Sequence, residues 1–276
     1  MPSSTLTLDI VIVSYNVRDE LAACLQSVVG HTDPYPTTVT VVDNASSDGT
    51  VDMLERDWPG VHVIDAGDNV GFARANNFGI RAGSGEFVLL LNPDTIVPPG
   101  AIAQLVRSLA SHAEAAAAGP RLVDAEGFPE LSFGWTIGPW GELKQKVLLA
   151  LYARRIRRVV RMIDLWARQP GEREWVSGAC LLARRADLEA VGLFDERYFM
   201  YTEDVDLCMA FRARGRSVLF VPQAQVLHLR GASAARNPAT ERLRRRSQMA
   251  YYRKHHPRWV PLLRAYLAVT GKPRGE

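Results

Sequence analysis

The sequence predicts an α/β fold: a doubly wound, mostly parallel central sheet followed by a basic, helical C-terminal extension. Three observations predict it. Short apolar, β-branched runs alternate with helical spacings over residues 10–91, which is the pattern of strands joined by crossover helices. The last of these runs, Phe87 to Leu91, is apolar throughout, as a strand covered on both faces requires. From Thr240 onward the chain is helical in pattern and rich in arginine.

Taken in order, Ile10 to Ser14 reads as a strand, Tyr15-Asn16 as its loop, and Leu21, Leu25 and Val28 as the apolar stripe of a helix. Val39 to Val42 is the next strand, ending in the polar loop Asp43 to Thr50, after which Val51, Met53 and Leu54 open a second helix. Val61 to Ile64 and the helix Ala73 to Arg81 flank the loop Asn69-Val70-Gly71-Phe72. In open parallel sheets ligands sit beyond the carboxyl ends of the strands, so Tyr15, Asp43, Gly71 and Asn92-Pro93-Asp94 are expected to converge on one crevice. After Gly119-Pro120 the alternation is lost, and a basic, apolar segment from Leu143 to Trp166 reads as one amphipathic helix. A strand over Ser217 to Val221 and a short apolar run at Val226-Leu227-His228-Leu229 follow the acidic cluster Thr202 to Leu207. No internal repeat is evident.

A chain of 276 residues, 47% hydrophobic, can bury a proper core, and a formal charge of +3 is too mild to specify a partner. Cys24, Cys180 and Cys208 form no Cys-x-x-Cys pair and are too scattered for a disulfide framework, which favours a reducing cytoplasm. Met1 to Asp9 lacks a basic segment leading into an apolar one, so no signal peptide is expected, and no apolar run approaches the roughly 20 residues that span a bilayer.

The ordered motifs Val11 to Asn16, Val41 to Thr50, Asn69 to Phe72, Leu91 to Asp94, and Phe194-Asp195-Glu196 leading into Thr202 to Leu207 resemble the GT-A fold of the family 2 inverting glycosyltransferases, in particular their bacterial rhamnosyltransferase-like branch. The resemblance spans about residues 8–230 and leaves out the basic tail. It implies a glycosyltransferase domain over residues 1–235, with a nucleotide-sugar half at 8–119 and an acceptor or catalytic half at 120–235, and an extension at 236–276.

The resemblance also implies roles. Ser14 and Tyr15 at the first strand end, and Asp43 at the second, would hold the base of a nucleotide sugar. Tyr15 can lie flat against a pyrimidine and Asp43 can accept its imide N–H, although an edge tyrosine and a turn-forming aspartate have the same residue types. Gly71 would permit a close backbone approach, and Asn77 resembles the family's donor-side asparagine. Arg74 reads equally as a phosphate contact or a solvated helix residue. Asn92-Pro93-Asp94 stands where the family has Asp-x-Asp, so Asn92 lines the donor site and Asp94 is the direct ligand of a divalent Mg²⁺ or Mn²⁺. His228 would join it on the metal. Asp204 would be the base that deprotonates the acceptor hydroxyl, with Glu203 and Asp206 supporting it. Trp175 and Gly178-Ala179 would line the sugar pocket.

Lys144, Lys146, Arg154, Arg155, Arg157, Arg158 and Arg161, interleaved with apolar residues, and the tail residues Arg242 to Arg246, Tyr251 to Lys254 and Trp259, suit an anionic membrane surface or, alternatively, ordinary core-facing helices with solvated arginines. No nucleic-acid recognition motif accompanies them. The expected activity is metal-dependent transfer of L-rhamnose from dTDP-rhamnose to a lipid-linked saccharide by a peripheral enzyme on the inner face of the plasma membrane. UDP-galactofuranose or UDP-GlcNAc are alternative donors. A nucleotidyltransferase would carry a triphosphate loop that Ser14-Tyr15-Asn16 does not resemble, and a non-catalytic membrane scaffold could have dispensed with Asp94 and Asp204.

Overall fold

The computed structural model describes residues 6–32, 34–135, 138–229 and 240–269. Its first part runs β1 (Leu8–Ser14), α1 (Arg18–Val28), β2 (Thr37–Asp43), α2 (Thr50–Asp57), β3 (His62–Asp65), α3 (Phe72–Ala82), β4 (Phe87–Leu91), β5 (Thr95–Ile96), α4 (Ala101–Ala110) and β6 (Ala115–Val123). Then come β7 (Phe133–Gly134), α5 (Pro139–Ala153), α6 (Arg157–Trp166), β8 (Gly171–Glu172), β9 (Trp175–Val176), β10 (Cys180–Arg184) and α7 (Arg185–Val191). The chain continues through α8 (Glu203–Ala213), β11 (Ser217–His228), α9 (Thr240–His255), a tight turn at Pro257–Trp259, and α10 (Val260–Val269).

Among the described residues the main sheet has the order β3-β2-β1-β4-β10-β6-β11-β5. Strands β1 to β4 pair in parallel, as their crossover helices require, while β10 enters antiparallel between β4 and β6. Two apolar clusters cover the two faces: Ile10, Ile12, Leu89 and Leu91 point into one, and Val11, Val13, Val88 and Leu90 into the other. This two-residue alternation between faces is the strand period itself, and the wholly buried β4 takes its uniform apolarity from it.

The structure adds detail to three expectations. β6 carries the chain through Gly119 and Pro120 and pairs with β11 across Val221 and Pro120, so simple alternation lapses after Val123, and both expected halves contribute strands to one sheet. The basic segment is two helices. Arg155 takes a left-handed φ of 50° after α5, its N–H bonds to the Tyr152 carbonyl, and its guanidinium sits 4.6 Å from the Phe128 ring, so the chain turns before α6. In the tail, α9 buries one face, with Arg245, Tyr251 and Tyr252 inside and Arg242, Arg244, Arg246 and Arg253 exposed, which is the core-facing one of the two readings of that segment.

The exposed large apolar residues concentrate instead on α5, α6 and α10, where Trp140 is 69% and Leu262 58% exposed, joined by Met162, Leu165 and Tyr266. Exposed Arg154, Arg157, Arg158 and Arg161 lie among them. No helix of the described residues is long and apolar enough to cross a membrane.

Candidate active site

The chain steps from β1 outward to β2 and β3, then returns to place β4 on the other side of β1. That reversal makes the carboxyl ends of β1 and β4 the switch point of the sheet, the usual ligand position in such folds. Ser14 ends β1 fully buried, and Asp43 ends β2 at 1% exposure. The Asp43 Oδ2 accepts the Ser46 N–H at 2.8 Å, but its Oδ1, the Ser14 hydroxyl and Asn44 Oδ1 have no hydrogen-bond partner among the described residues. Buried polar atoms are rarely left unspent. Three of them at adjoining strand ends are suited to a ligand that supplies the missing partners.

Tyr15 stands beside them, 41% exposed. The loops carrying these residues are laced together: Asn16 donates its N–H to Ser46 Oγ and accepts that of Ser47, and the Arg18 N–H reaches Asp48 Oδ2. The serine- and asparagine-rich composition of residues 44–48 thus serves to fix one loop against the next.

Gly71 adopts φ +85° and packs so closely on the acidic segment that a Cβ there would stand 2.4 Å from the Phe199 carbonyl oxygen. The Phe72 N–H donates to that same oxygen at 2.6 Å. Asn77, expected near the donor, engages its amide within the protein. Its amide donates to the Phe194 carbonyl and Glu196 and accepts the Phe194 N–H, bracing α3 against the approach to α8. Arg74 stacks on Phe78 at 5.6 Å and lies 3.7 Å from Glu196.

At the end of β4, the turn Asn92-Pro93-Asp94 delivers a buried Asp94 carboxylate, and β11 pairs with β5 so that His228 lies opposite Thr95. His228 Nε2 comes within 3.3 Å of Asp94 Oδ1, while its Nδ1 is held 3.0 Å from Glu130 Oε2. Burial disfavours the imidazolium, but hydrogen bonds to Asp94 and Glu130 outweigh it and push the His228 pKa up to about 9.

An imidazole oriented by one carboxylate, with its other nitrogen beside a second, is the donor arrangement that divalent metals use, and it fits the expected ion. Among the described residues no cluster of three or more His, Cys, Asp or Glu side chains is arranged to hold a metal alone. Glu130 was missed by sequence reasoning. It lies in an irregular stretch, 98 residues from His228, with nothing local to mark it.

The acidic segment enters α8 through Tyr201 and Thr202, two successive non-glycine residues at φ 72° and 76°. Such conformations cost of order 1–3 kcal/mol each and persist where the surroundings impose them, often at functional sites. Asp204 is half-buried; its Oδ2 accepts the Gly178 N–H at 2.9 Å and its Oδ1 the Val205 N–H at 2.8 Å. A Cβ on Gly178 would stand 3.2 Å from that of Asp204. Burial raises the Asp204 pKa, and the two N–H bonds only partly restrain it.

Glu203 is buried, its Oε2 has no partner among the described residues, and burial followed by the neighbouring Asp204 charge lifts its pKa well above the ordinary range. Because its folded value is raised, the stability it contributes is complete below the ordinary glutamate range and is lost as pH rises through the folded value. Urea unfolding across pH is expected to show that decline in the wild type and a flatter profile in Glu203→Gln; parallel profiles would contradict the assignment.

Trp175 is less available than expected. It is buried at 9% exposure against Gly134, and its indole N–H donates to the Trp135 carbonyl. Asp206, two residues beyond Asp204, faces the other way, accepting Lys254 Nζ at 2.8 Å, His255 Nε2 at 2.6 Å and Tyr198 Oη at 3.1 Å.

The chain is 32% identical over 266 residues, 86% of its length and 80% of the relative's, to the N-acetylglucosaminyl-diphospho-decaprenol L-rhamnosyltransferase of Mycobacterium tuberculosis. It is 24% identical over 79% of its length, and 82% of the relative's, to the rhamnosyltransferase WbbL of Escherichia coli K12. Among solved structures, a mannosyltransferase from Pyrobaculum calidifontis in complex with GDP-Man and Mn²⁺ matches with a TM-score of 0.63 at 18% identity, over 94% of this chain and 68% of that one. GalNAc-T7 with UDP, GalNAc and Mn²⁺ matches at 0.66 and 17% identity, over 99% and 53%. These likenesses bear out the GT-A fold. The profile of Glycosyl transferase family 2 matches residues 9–190, and with the relatives it establishes that this chain belongs to that family of glycosyltransferases.

Proposed function

We propose that the protein is an inverting rhamnosyltransferase that moves L-rhamnose from dTDP-rhamnose to a lipid-linked saccharide, in the reading closest to its mycobacterial relative an N-acetylglucosaminyl-diphospho-lipid. The observation that carries the chemistry is Asp204, a carboxylate of raised pKa held by two backbone N–H groups where α8 meets the Gly178 turn. The name of the 32% identical relative supports the sugar and the acceptor.

In this reading Asp43 Oδ1 accepts the imide N–H of the thymine, Tyr15 covers the ring, and Ser14 and Asn44 complete the polar contacts that they lack in the protein alone. Asp94 and His228 would hold a divalent cation, with Glu130 fixing the imidazole ring; when bound, such an ion neutralises charge on the diphosphate leaving group. Asp204 takes the proton from the acceptor hydroxyl as that oxygen attacks the anomeric carbon from the face opposite the diphosphate. One base suffices for this displacement, and no covalent enzyme intermediate forms. Since Asp204 acts deprotonated, activity is present above its raised pKa and falls as pH drops through it.

The donor is tested by calorimetric titration of dTDP-rhamnose, UDP-galactofuranose and UDP-GlcNAc with Mn²⁺ present. Selective binding of dTDP-rhamnose is expected, and preference for a UDP-sugar would overturn the rhamnose assignment.

The apolar and arginine-rich surface of α5, α6 and α10 suits the anionic inner leaflet, which would bring the site to its lipid-linked acceptor. Neutralising Arg154, Arg157, Arg158 and Arg161 together is expected to release the protein from anionic vesicles in co-sedimentation while sparing donor binding. The wild type should show the same loss with added salt, because surface attraction is screened within about 10 Å at 0.1 M. Equal pelleting of both proteins would exclude this surface.

A further inference from the structure

We propose that Ser247, Lys254 and His255 on α9 are positioning residues for Asp204, acting through the backbone segment that carries it; the inference rests on the glycosyltransferase reading above. Asp204 and Asp206 are two positions apart on α8, so at about 100° per residue they lie on nearly opposite faces. One face is fixed by the Gly178 N–H on Asp204. The other is fixed from α9: Lys254 Nζ and His255 Nε2 bond the two oxygens of Asp206, whose side chain is 4% exposed. Lys254 also bonds Asp195, which pairs with Arg197 at the start of the same segment.

Upstream, the Ser247 hydroxyl donates to the Met200 carbonyl at 2.7 Å, and the Arg244 guanidinium lies 4.9 Å from the Tyr201 ring. These contacts bracket the left-handed pair Tyr201 and Thr202. Thr202 offers no side-chain cap to α8, and these contacts from α9 add to those of Gly178 and Phe72 on the same segment. Residues 244, 247, 251, 254 and 255 recur at helical spacing along one face of α9, and Tyr251 in their midst is fully buried. The basic tail thus works as a strut, and its contacts set where the Asp204 carboxylate stands.

The test uses the full chain with Ser247→Ala, Lys254→Gln, their combination, the conservative Lys254→Arg, and Arg253→Ala as an exposed control. Hydrogen–deuterium exchange needs no activity. Peptides covering residues 198–208 are expected to exchange faster in the double variant, with the β1 to β4 core unchanged. In transfer assays kcat is expected to fall about 10²-fold, the scale of a small misplacement of reacting groups, while KM and donor affinity stay at wild-type values. Lys254→Arg should recover most of the rate, and Ser247→Ala alone, which leaves Asp206 paired, should show the same split at smaller size.

Unchanged exchange, faster exchange with unchanged kcat, or a loss of rate that follows a loss of donor binding and melting temperature would each overturn the proposal. A wild type that transfers no sugar from any nucleotide donor would refute the functional reading instead.

Discussion

Replacing Asp204 with Asn is expected to lower transfer by about 10² to 10⁴-fold, the range for a lost general base, while donor affinity stays near the wild-type value. The amide is nearly isosteric with the carboxylate, so the site at Asp43 and the fold around Gly178 should survive. It cannot accept the acceptor's proton. One local effect works against the substitution: both oxygens of Asp204 accept backbone N–H groups, and the amide nitrogen of Asn cannot. Melting temperature must therefore be measured alongside, since a small loss of stability with a large loss of kcat is the signature expected of a base. Near wild-type turnover would remove Asp204 from the mechanism and direct attention to Glu203.

Asp94→Ala is expected to reduce divalent-dependent donor binding and transfer by a similar order, about 10² to 10³-fold, as for loss of one electrostatic stabiliser of transition-state charge. His228→Ala should act in the same direction more weakly, because an imidazole contributes no negative charge. Glu130→Gln should be milder still, about tenfold, as for a partner that orients a ligand rather than binding the ion. Chelation should abolish wild-type transfer, with Mn²⁺ or Mg²⁺ restoring it. Full activity in excess chelator would refute metal dependence and leave Asp94 and His228 as a buried ion pair.

Much of the first part of the sheet was legible because its information is local. The runs Ile10 to Ser14, Val39 to Val42 and Phe87 to Leu91 announce strands through β-branched and leucine side chains, and the structure extends the first two by a few residues. In β6, by contrast, Ala115 to Ala118 are neither β-branched nor alternating, and Pro120 argues against an interior strand. They are alanines because β6 lies buried between β10 and β11, and a Cβ on Gly119 would already meet Val176 at 2.6 Å. The antiparallel insertion of β10 was equally hidden, since the run Cys180 to Leu182 carries no mark of direction.

Within the site, Asp43, Asp94, Asp204 and His228 were marked by the motifs that carry the family resemblance. What joins them did not. Glu130 meets His228 across 98 residues, and Lys254 and His255 meet Asp206 across 48 and 49. Those pairings are made by the sheet order and by the docking of α9, and neither leaves a periodic trace in the chain.

The central claim is a single displacement at the anomeric carbon, promoted by Asp204. It is tested most directly by incubating the protein with dTDP-rhamnose and a synthetic N-acetylglucosaminyl-diphospho-lipid and determining the anomeric configuration of the new linkage by NMR. The account predicts a configuration opposite to that of the donor. A product that keeps the donor's configuration would contradict it.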